Sequence, residues 1–366
     1  MIRIYNTFIE PQAPDFVQQV LQSSFISEGT VVKDFERQLE KDLGLTNCVT
    51  LNSGTSALHL ALVMIGVQQG DEVILPAQTF VATGLVVVQQ LAQPVFADID
   101  YGNGNVSPQS IRAKVTPRTK AIIVVHWAGY PCDMDEILQI AGEFHIPVIE
   151  DAAHALGAVY KGRAIGSISP FTCFSFQAIK HLTTGDGGAL CLASVDLKKE
   201  ALSRRWFGID REHALPTEEG ERAYNIQCLG FKYHLNNYAA ALGLANMQGI
   251  AARLEGRRKV AAFYDQQLDA FPGINRFNYS ADRKSAYWLY GLHVERRRDF
   301  IRALRSRGVE ASVIHQRIDR NTIFGQIRKD LTNQESFDHT QVHIPIHDAI
   351  DLPTAEKIVA SIKMGW

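Results

Sequence analysis

Between residues 48 and 149 the chain alternates short, wholly apolar runs with longer stretches whose apolar residues recur every three or four positions. The first pattern reads as buried strands and the second as amphipathic helices. Strands are predicted at 48–51, 73–75, 95–99, 121–125 and 146–149, with helices over 57–65, after Thr79, near Ser107-Pro108 and over 133–144. Upstream, residues 1–30 read as an arm that ends in turn chemistry at Phe25-Ile26-Ser27-Glu28-Gly29-Thr30, and 31–43 has helical spacing. A β–α alternation with strands this apolar predicts an α/β fold, its mostly parallel sheet covered by helices on both faces. Ligands of such sheets collect at the carboxyl ends of the strands. Gly54, Gln78, His126 and Asp151 all fall there.

Further along, 171–176 and 189–192 read as strands and 197–207 as a helix, while 209–229 is polar and irregular. A long helical pattern runs from about 236 to 271, interrupted by Gly243, Gly249 and Gly256. After it the pattern mixes strands (287–294, 309–314, 343–346) with helices (297–307, 354–364). The division expected is an arm (1–30), a large domain (31–245), then a linking helix and smaller α+β domain (246–366).

The 366 residues suffice for roughly two domains, and 46% are hydrophobic, enough for a large core. With 37 basic and 39 acidic residues the formal net charge is −2, which disfavours nucleic acid as a partner. The five cysteines (Cys48, Cys132, Cys173, Cys191, Cys228) form no CxxC pair, so free thiols in a reducing compartment are expected rather than a metal or iron–sulfur site. No secretory leader or apolar run of membrane-spanning length is visible, which points to the cytoplasm.

The stretch 147–190 carries the candidate chemistry. Its strand ends on Glu150 and Asp151, and it closes on Lys180, between an aromatic run and the glycine-rich segment 185–188. A lysine for a Schiff base, an acid for a ring nitrogen and small donors for a phosphate are the needs of pyridoxal phosphate. Asp151 before two alanines also suits a helix cap, and Lys180 alone reads equally as a surface lysine. Gly54-Thr55-Ser56 between strand and helix offers backbone donors to a phosphate, or is a plain helix start. Phe80 could stack on a ring or belong to the core. His154 could flank the same ligand, and His126 could line the cleft or pack beneath it. No glycine-rich dinucleotide or P-loop fingerprint follows a strand.

Together these segments resemble the DegT/StrS-type sugar aminotransferases, which are fold-type I pyridoxal-phosphate enzymes. The matching stretches are NSGTSALHLAL (52–62), GDEVILPAQTFVAT (70–83), PVFADID (94–100), HWAGYPCDMDEI (126–137), EDAAHALGA (150–158), FSFQAIKHLTTGDGG (174–188) and AAALGLANM (239–247). The resemblance implies a seven-stranded, mostly parallel sheet and a homodimer with active sites at the interface. It casts Lys180 as the Schiff-base lysine and proton shuttle, and Asp151 as the partner of the ring nitrogen. Gly54, Thr55, Ser56 and Ser175 become phosphate and ring contacts, Phe80 the stacking aromatic, and His154 the neighbour of the ring hydroxyl. Many members carry an asparagine that reaches the partner's cofactor phosphate where this chain has Lys232; Asn236 or Asn237 are candidates to replace it. Ile26 and Gly29 in the arm, the loop 209–229, and His315, Gln316, Arg317 and Asn321 are expected to meet the substrate.

The reaction implied runs in two halves. An amino donor, typically glutamate, leaves its nitrogen on the cofactor as pyridoxamine phosphate, and a nucleotide-linked keto sugar then takes it. Such chemistry serves amino-sugar synthesis for surface polysaccharide or a glycosylated metabolite. Two alternatives remain: a pyridoxal-phosphate-dependent sugar dehydratase, in which histidine replaces the lysine, and a cofactor-binding regulator or sensor without turnover.

Overall fold

The computed structural model describes residues 1–211 and 216–366. The part of the expected specificity loop at 212–215 lies outside them. Seven strands form the main sheet: β1 (Val49–Leu51), β2 (Glu72–Pro76), β3 (Gln93–Ala97), β4 (Thr119–Val125), β5 (Val148–Asp151), β6 (Phe171–Ser175) and β7 (Gly188–Leu192). Their order is β1-β7-β6-β5-β4-β2-β3. Pairing is parallel from β6 through β3, and β7 runs antiparallel to both of its neighbours. All seven coincide with predicted strands, because a sheet covered on both faces demands apolar side chains at successive positions. In β4, every residue from Ala121 to Val125 is buried.

Helices α1 (Ala13–Gln22) and α2 (Thr30–Leu43) precede the sheet. Within it come α3 (Gly54–Ile65), α4 (Val81–Gln89), α5 (Pro108–Lys114), α6 (Met134–Glu143) and α7 (Val195–Arg204). Two apolar clusters form, one on each side of the sheet. Phe35, Ile137 and Phe174 belong to one, and Leu60, Val86 and Ile149 to the other. The segment expected to be an arm holds α1, which packs against α8 (Asn237–Met247).

The long helix expected over 236–271 is two helices, α8 and α9 (Ile250–Gln267). The break is Gly249, in the left-handed region at φ 70°, where glycine escapes the Cβ penalty. The last third of the chain adds a three-stranded antiparallel sheet of β8 (Ile274–Arg276), β9 (Tyr290–Val294) and β10 (Gln341–Ile344). Around it lie α10 (Arg297–Ser306), α11 (Thr332–Thr340) and α12 (Leu352–Lys363). A separate core, including Tyr264, Phe300, Ile344 and Ile358, fills this part. The strand expected over 309–314 is instead irregular chain with isolated bridges at Val309 and Ser312, and β9 starts at Tyr290 rather than at 287.

One close approach positions the site. Strand β7 passes directly under the start of α3, so a Cβ at Gly188 would lie 2.5 Å from the Gly54 nitrogen and 2.5 Å from the Ser53 carbonyl carbon. Backbone atoms cannot yield as a side-chain tip can. Gly188→Ala is therefore expected to destabilise the fold by about 1–3 kcal/mol, read as a lower melting temperature. An unchanged melting temperature would contradict this packing.

Candidate active site

A cavity of about 360 Å³ opens where the carboxyl ends of β4, β5 and β6 meet the amino-terminal ends of α3 and α4. Asp151, the last residue of β5, and Lys180, in the turn beyond β6, both line it. Side chains alternate along a strand, and this splits the two neighbouring acids. Glu150 turns into the protein, where it meets His126 Nε2 at 2.8 Å and accepts from Ser169 N and Thr172 Oγ1, each at 3.0 Å. His126 accepts from Cys132 N at 3.0 Å, so it packs beneath the cleft. Asp151 faces the cavity.

Asp151 Oδ2 accepts from Thr83 Oγ1 at 2.7 Å, and Oδ1 from Ala153 N at 3.2 Å. Burial pushes its carboxyl above the ordinary range; the Thr83 and Ala153 bonds, Lys180 and His126 pull the other way. A carboxylate held this way, with neutral direct donors, has room for a cationic N–H partner. Lys180 is half-buried on the cavity wall. Burial lowers its amine from 10.5 to about 7, against an opposing pull from Asp151. At neutral pH a large fraction of the amine is the free base, the nucleophilic form.

Other predicted residues gather on the same walls. His154 lies within the cavity lining, and its Nδ1 has no hydrogen-bond partner. Burial, then Lys180, holds its imidazole well below the usual range. Phe80 stands 52% exposed at the cavity edge, its ring centroid 5.1 Å from that of His315. An aromatic this exposed over a polar floor suits a planar ligand. At the start of α3, Ser53, Gly54 and Thr55 line the cavity with Ser175 from the end of β6. Ser53 caps the helix by accepting from Ser56 N at 3.0 Å. Backbone donors at such a terminus attract phosphate. His315, in the left-handed region at φ 55°, completes this wall; burial, then Lys180, lowers its imidazole to about 4.

The remaining expected residues lie elsewhere. Ser56 is buried, its hydroxyl donating to Asn52 Oδ1 at 2.6 Å rather than facing the cavity. Arg317 corrects an expectation: it is a buried structural cation, not a substrate contact. Its guanidinium meets Asp319 at 2.6 and 2.7 Å and Glu335 at 2.9 Å, and donates to the Arg328 carbonyl. Asn321 donates to the Ile318 carbonyl, and Gln316 is exposed. Lys232 is exposed, 5.2 Å from the Trp206 ring centroid, and does not line the cavity. Asn236 caps α8 through Ala239 N. Asn237 is buried and holds the arm, with its backbone N–H donating to Ile26 O and Ser27 O and its side chain to Phe25 O. Gly29 packs against this asparagine, and Ile26 is exposed. His181 Nε2 donates to the Ala286 carbonyl at 2.9 Å, and the residue does not line the cavity.

Sequence reasoning missed Thr83, Gln177, Asp186 and Trp288, all in the lining. Thr83 carried one readable signal, a hydroxyl one helical turn beyond Thr79, to which it is bonded at 2.7 Å.

A half-buried, readily deprotonated lysine, a carboxylate sharing its cavity, an exposed aromatic and a helix start with close backbone define a pyridoxal-phosphate enzyme. The orphaned His154 nitrogen adds a place for the ring hydroxyl. The chain belongs to the DegT/DnrJ/EryC1/StrS aminotransferase family, whose model matches residues 9–363. It is similar to the GDP-perosamine synthase of Caulobacter vibrioides, 31% identical over 356 residues, spanning 95% of this chain and 94% of that protein. Its fold matches AtS13 from Actinomadura melliaura with a TM-score of 0.95 at 34% identity, covering 100% of this chain and 99% of that one. It also matches the PLP form of a putative sugar aminotransferase, Spr1654 of Streptococcus pneumoniae, at 0.91 and 27% identity, covering 99% and 98%.

Two outcomes follow. Capture of pyridoxal phosphate by Lys180 rises with pH and is half-maximal near 7 rather than near 10.5, followed by absorbance; a midpoint near the higher value would contradict the burial. Arg317→Ala strands the buried Asp319 carboxylate and is expected to cost about 3–5 kcal/mol of stability, seen in thermal unfolding, with little change in KM in the protein that remains folded.

Proposed function

We propose that this aminotransferase moves an amino group from an amino acid, glutamate as donor, to the keto carbon of a nucleotide-linked sugar, in the synthesis of an amino sugar. The observation that supports this most is the pairing of Lys180 and Asp151 in one cavity. A GDP-perosamine synthase is among the relatives, which favours an amino sugar as product.

When bound, pyridoxal phosphate supplies an electron sink that makes the Cα–H bond of an attached amine acidic. The chain supplies the rest. Lys180 Nζ would hold the cofactor, and its free amine would carry the proton taken from the donor Cα. Asp151, its direction fixed by the Thr83 bond, would pair with the ring nitrogen. Phe80 would cover the ring, and His154 Nδ1 would face the ring hydroxyl. Ser53, Gly54, Thr55 and Ser175 would take the phosphate, while His315, pushed towards the neutral form, borders the space left for substrate.

The working unit in this reading is a homodimer. Phe25 and Ile26 in the arm and Ile226 and Leu229 beyond β7 are exposed apolar residues, a surface suited to a second copy. Lys232, exposed beside the Trp206 ring, would reach the partner's cofactor phosphate. Among the described residues no helix is long and apolar enough to cross a membrane. The five free cysteines fit the cytoplasm, where we place the enzyme.

Incubation with glutamate should bleach the visible band of the holoenzyme, and a panel of nucleotide-linked keto sugars should yield one product heavier by the exchange of oxygen for an amine. Lys180→Ala should lower turnover by roughly 10²–10⁴-fold or more. A band that no amino donor bleaches would overturn the aminotransfer, and bleaching without reaction of any keto sugar would overturn the acceptor.

A further inference from the structure

Lys180 lies against a residue that the reaction as described does not use. The Lys180 amine stands 3.7 Å from the ring centroid of Trp288. Trp288 comes from the chain just before β9, in the last third of the sequence, and is almost wholly buried. Its indole N–H donates at 2.9 Å to the carbonyl of Ile179, the residue next to the lysine. One side chain therefore holds both the backbone leading into Lys180 and the end of its amine.

The other face of the indole is taken. The His154 ring stacks on it with centroids 3.8 Å apart and planes 19° apart. A ring at that distance and an ammonium at 3.7 Å cannot share one face. Trp288 is sandwiched between His154, which borders the cofactor hydroxyl, and Lys180. Trp127 supports His154 edge-on at 5.6 Å, so the indole cannot drift without moving the histidine.

We propose that Trp288 is a positioning residue that receives the Lys180 amine on its ring face whenever the lysine is not bonded to the cofactor. This rests on the aminotransferase reading. The lysine is released in each half-reaction, and its amine must then stay near the reacting carbon while alternating between free base and ammonium. An indole face attracts the ammonium through its quadrupole without forming a hydrogen bond that would hold it there. A carboxylate in the same place would fix the proton on the nitrogen and remove its basicity.

The groups facing the amine are few and identifiable. Asp151 and Asp186 share its cavity. His154, His315 and the neighbouring His181 are each pushed towards the neutral form, mainly by burial, with Lys180 a lesser cause. Asp151 alone among them is a charge that raises the amine. Removing the ring should therefore shift the amine towards the free base.

The test uses full-length holoenzyme loaded with pyridoxamine phosphate, in which Lys180 carries no bond to cofactor. The pH dependence of Lys180 carbamylation by cyanate, read on its peptide by mass spectrometry, gives the amine's midpoint without any turnover. Failure of turnover with glutamate would count against the proposed function and leave this readout intact. Trp288→Leu is expected to lower the midpoint by roughly half a unit to one unit. Trp288→Phe, which keeps a ring face but loses the N–H donor, should lie between leucine and wild type and recover most of the shift. Equal midpoints in all three proteins, equal shifts in both variants, or a rise in the leucine variant would each overturn the proposal. Should the leucine variant not fold, Trp288→Met, which also lacks a ring face, takes its place with the same expected shift, and an unchanged or raised midpoint there would overturn the proposal.

Discussion

Removing an amine and a carboxylate from water within one cavity is the constraint on which the rest of this structure depends. Each group alone would abandon its charge at the cost of desolvation. Lys180 responds by becoming a base near neutrality, while burial raises the Asp151 carboxyl and the Thr83 and Ala153 bonds pull it back. The imbalance left between them is what a protonated pyridine ring would complete. Binding the cofactor and settling the electrostatics of the empty cleft are therefore the same problem.

The scaffold makes that arrangement affordable through strand geometry. Alternation along β5 sends Glu150 to one side, where His126, Ser169 and Thr172 satisfy it, and Asp151 to the other. Gly188 lets β7 run close enough beneath α3 for the helix start to border the same cavity. The last third of the chain also builds the site, since Trp288 and His315 line the cavity. The two apolar clusters flanking the sheet hold these pieces at fixed separation, as a preorganised site needs.

Much of the fold was legible because a parallel sheet buried on both faces writes itself as unbroken apolar runs, as in 121–125. Lys180, Asp151, Gly54 and Phe80 were legible because each sits at a strand end or turn with unusual neighbours. Helix α11 was not: its sequence TNQESFDHT has a single large apolar residue, Phe337, to bury. Helix α1 was different: Phe16, Val17, Val20 and Leu21 have helical spacing, a signal that reading 1–30 as an arm passes over. Arg317 misled because its partners, Asp319 and Glu335, come together through a short 3₁₀ turn and a helix, with no spacing rule to announce them. Trp288 carried no local signal at all, since its importance comes from a contact between distant parts of the chain.

The central claim is that Lys180, among all the lysines, carries the cofactor. Borohydride reduction of the holoenzyme followed by peptide mapping tests it most directly. The account predicts one reduced pyridoxyl adduct, on the peptide containing Lys180, and none in Lys180→Ala. An adduct on another lysine in the native protein, or none in a protein that retains the cofactor, would contradict it.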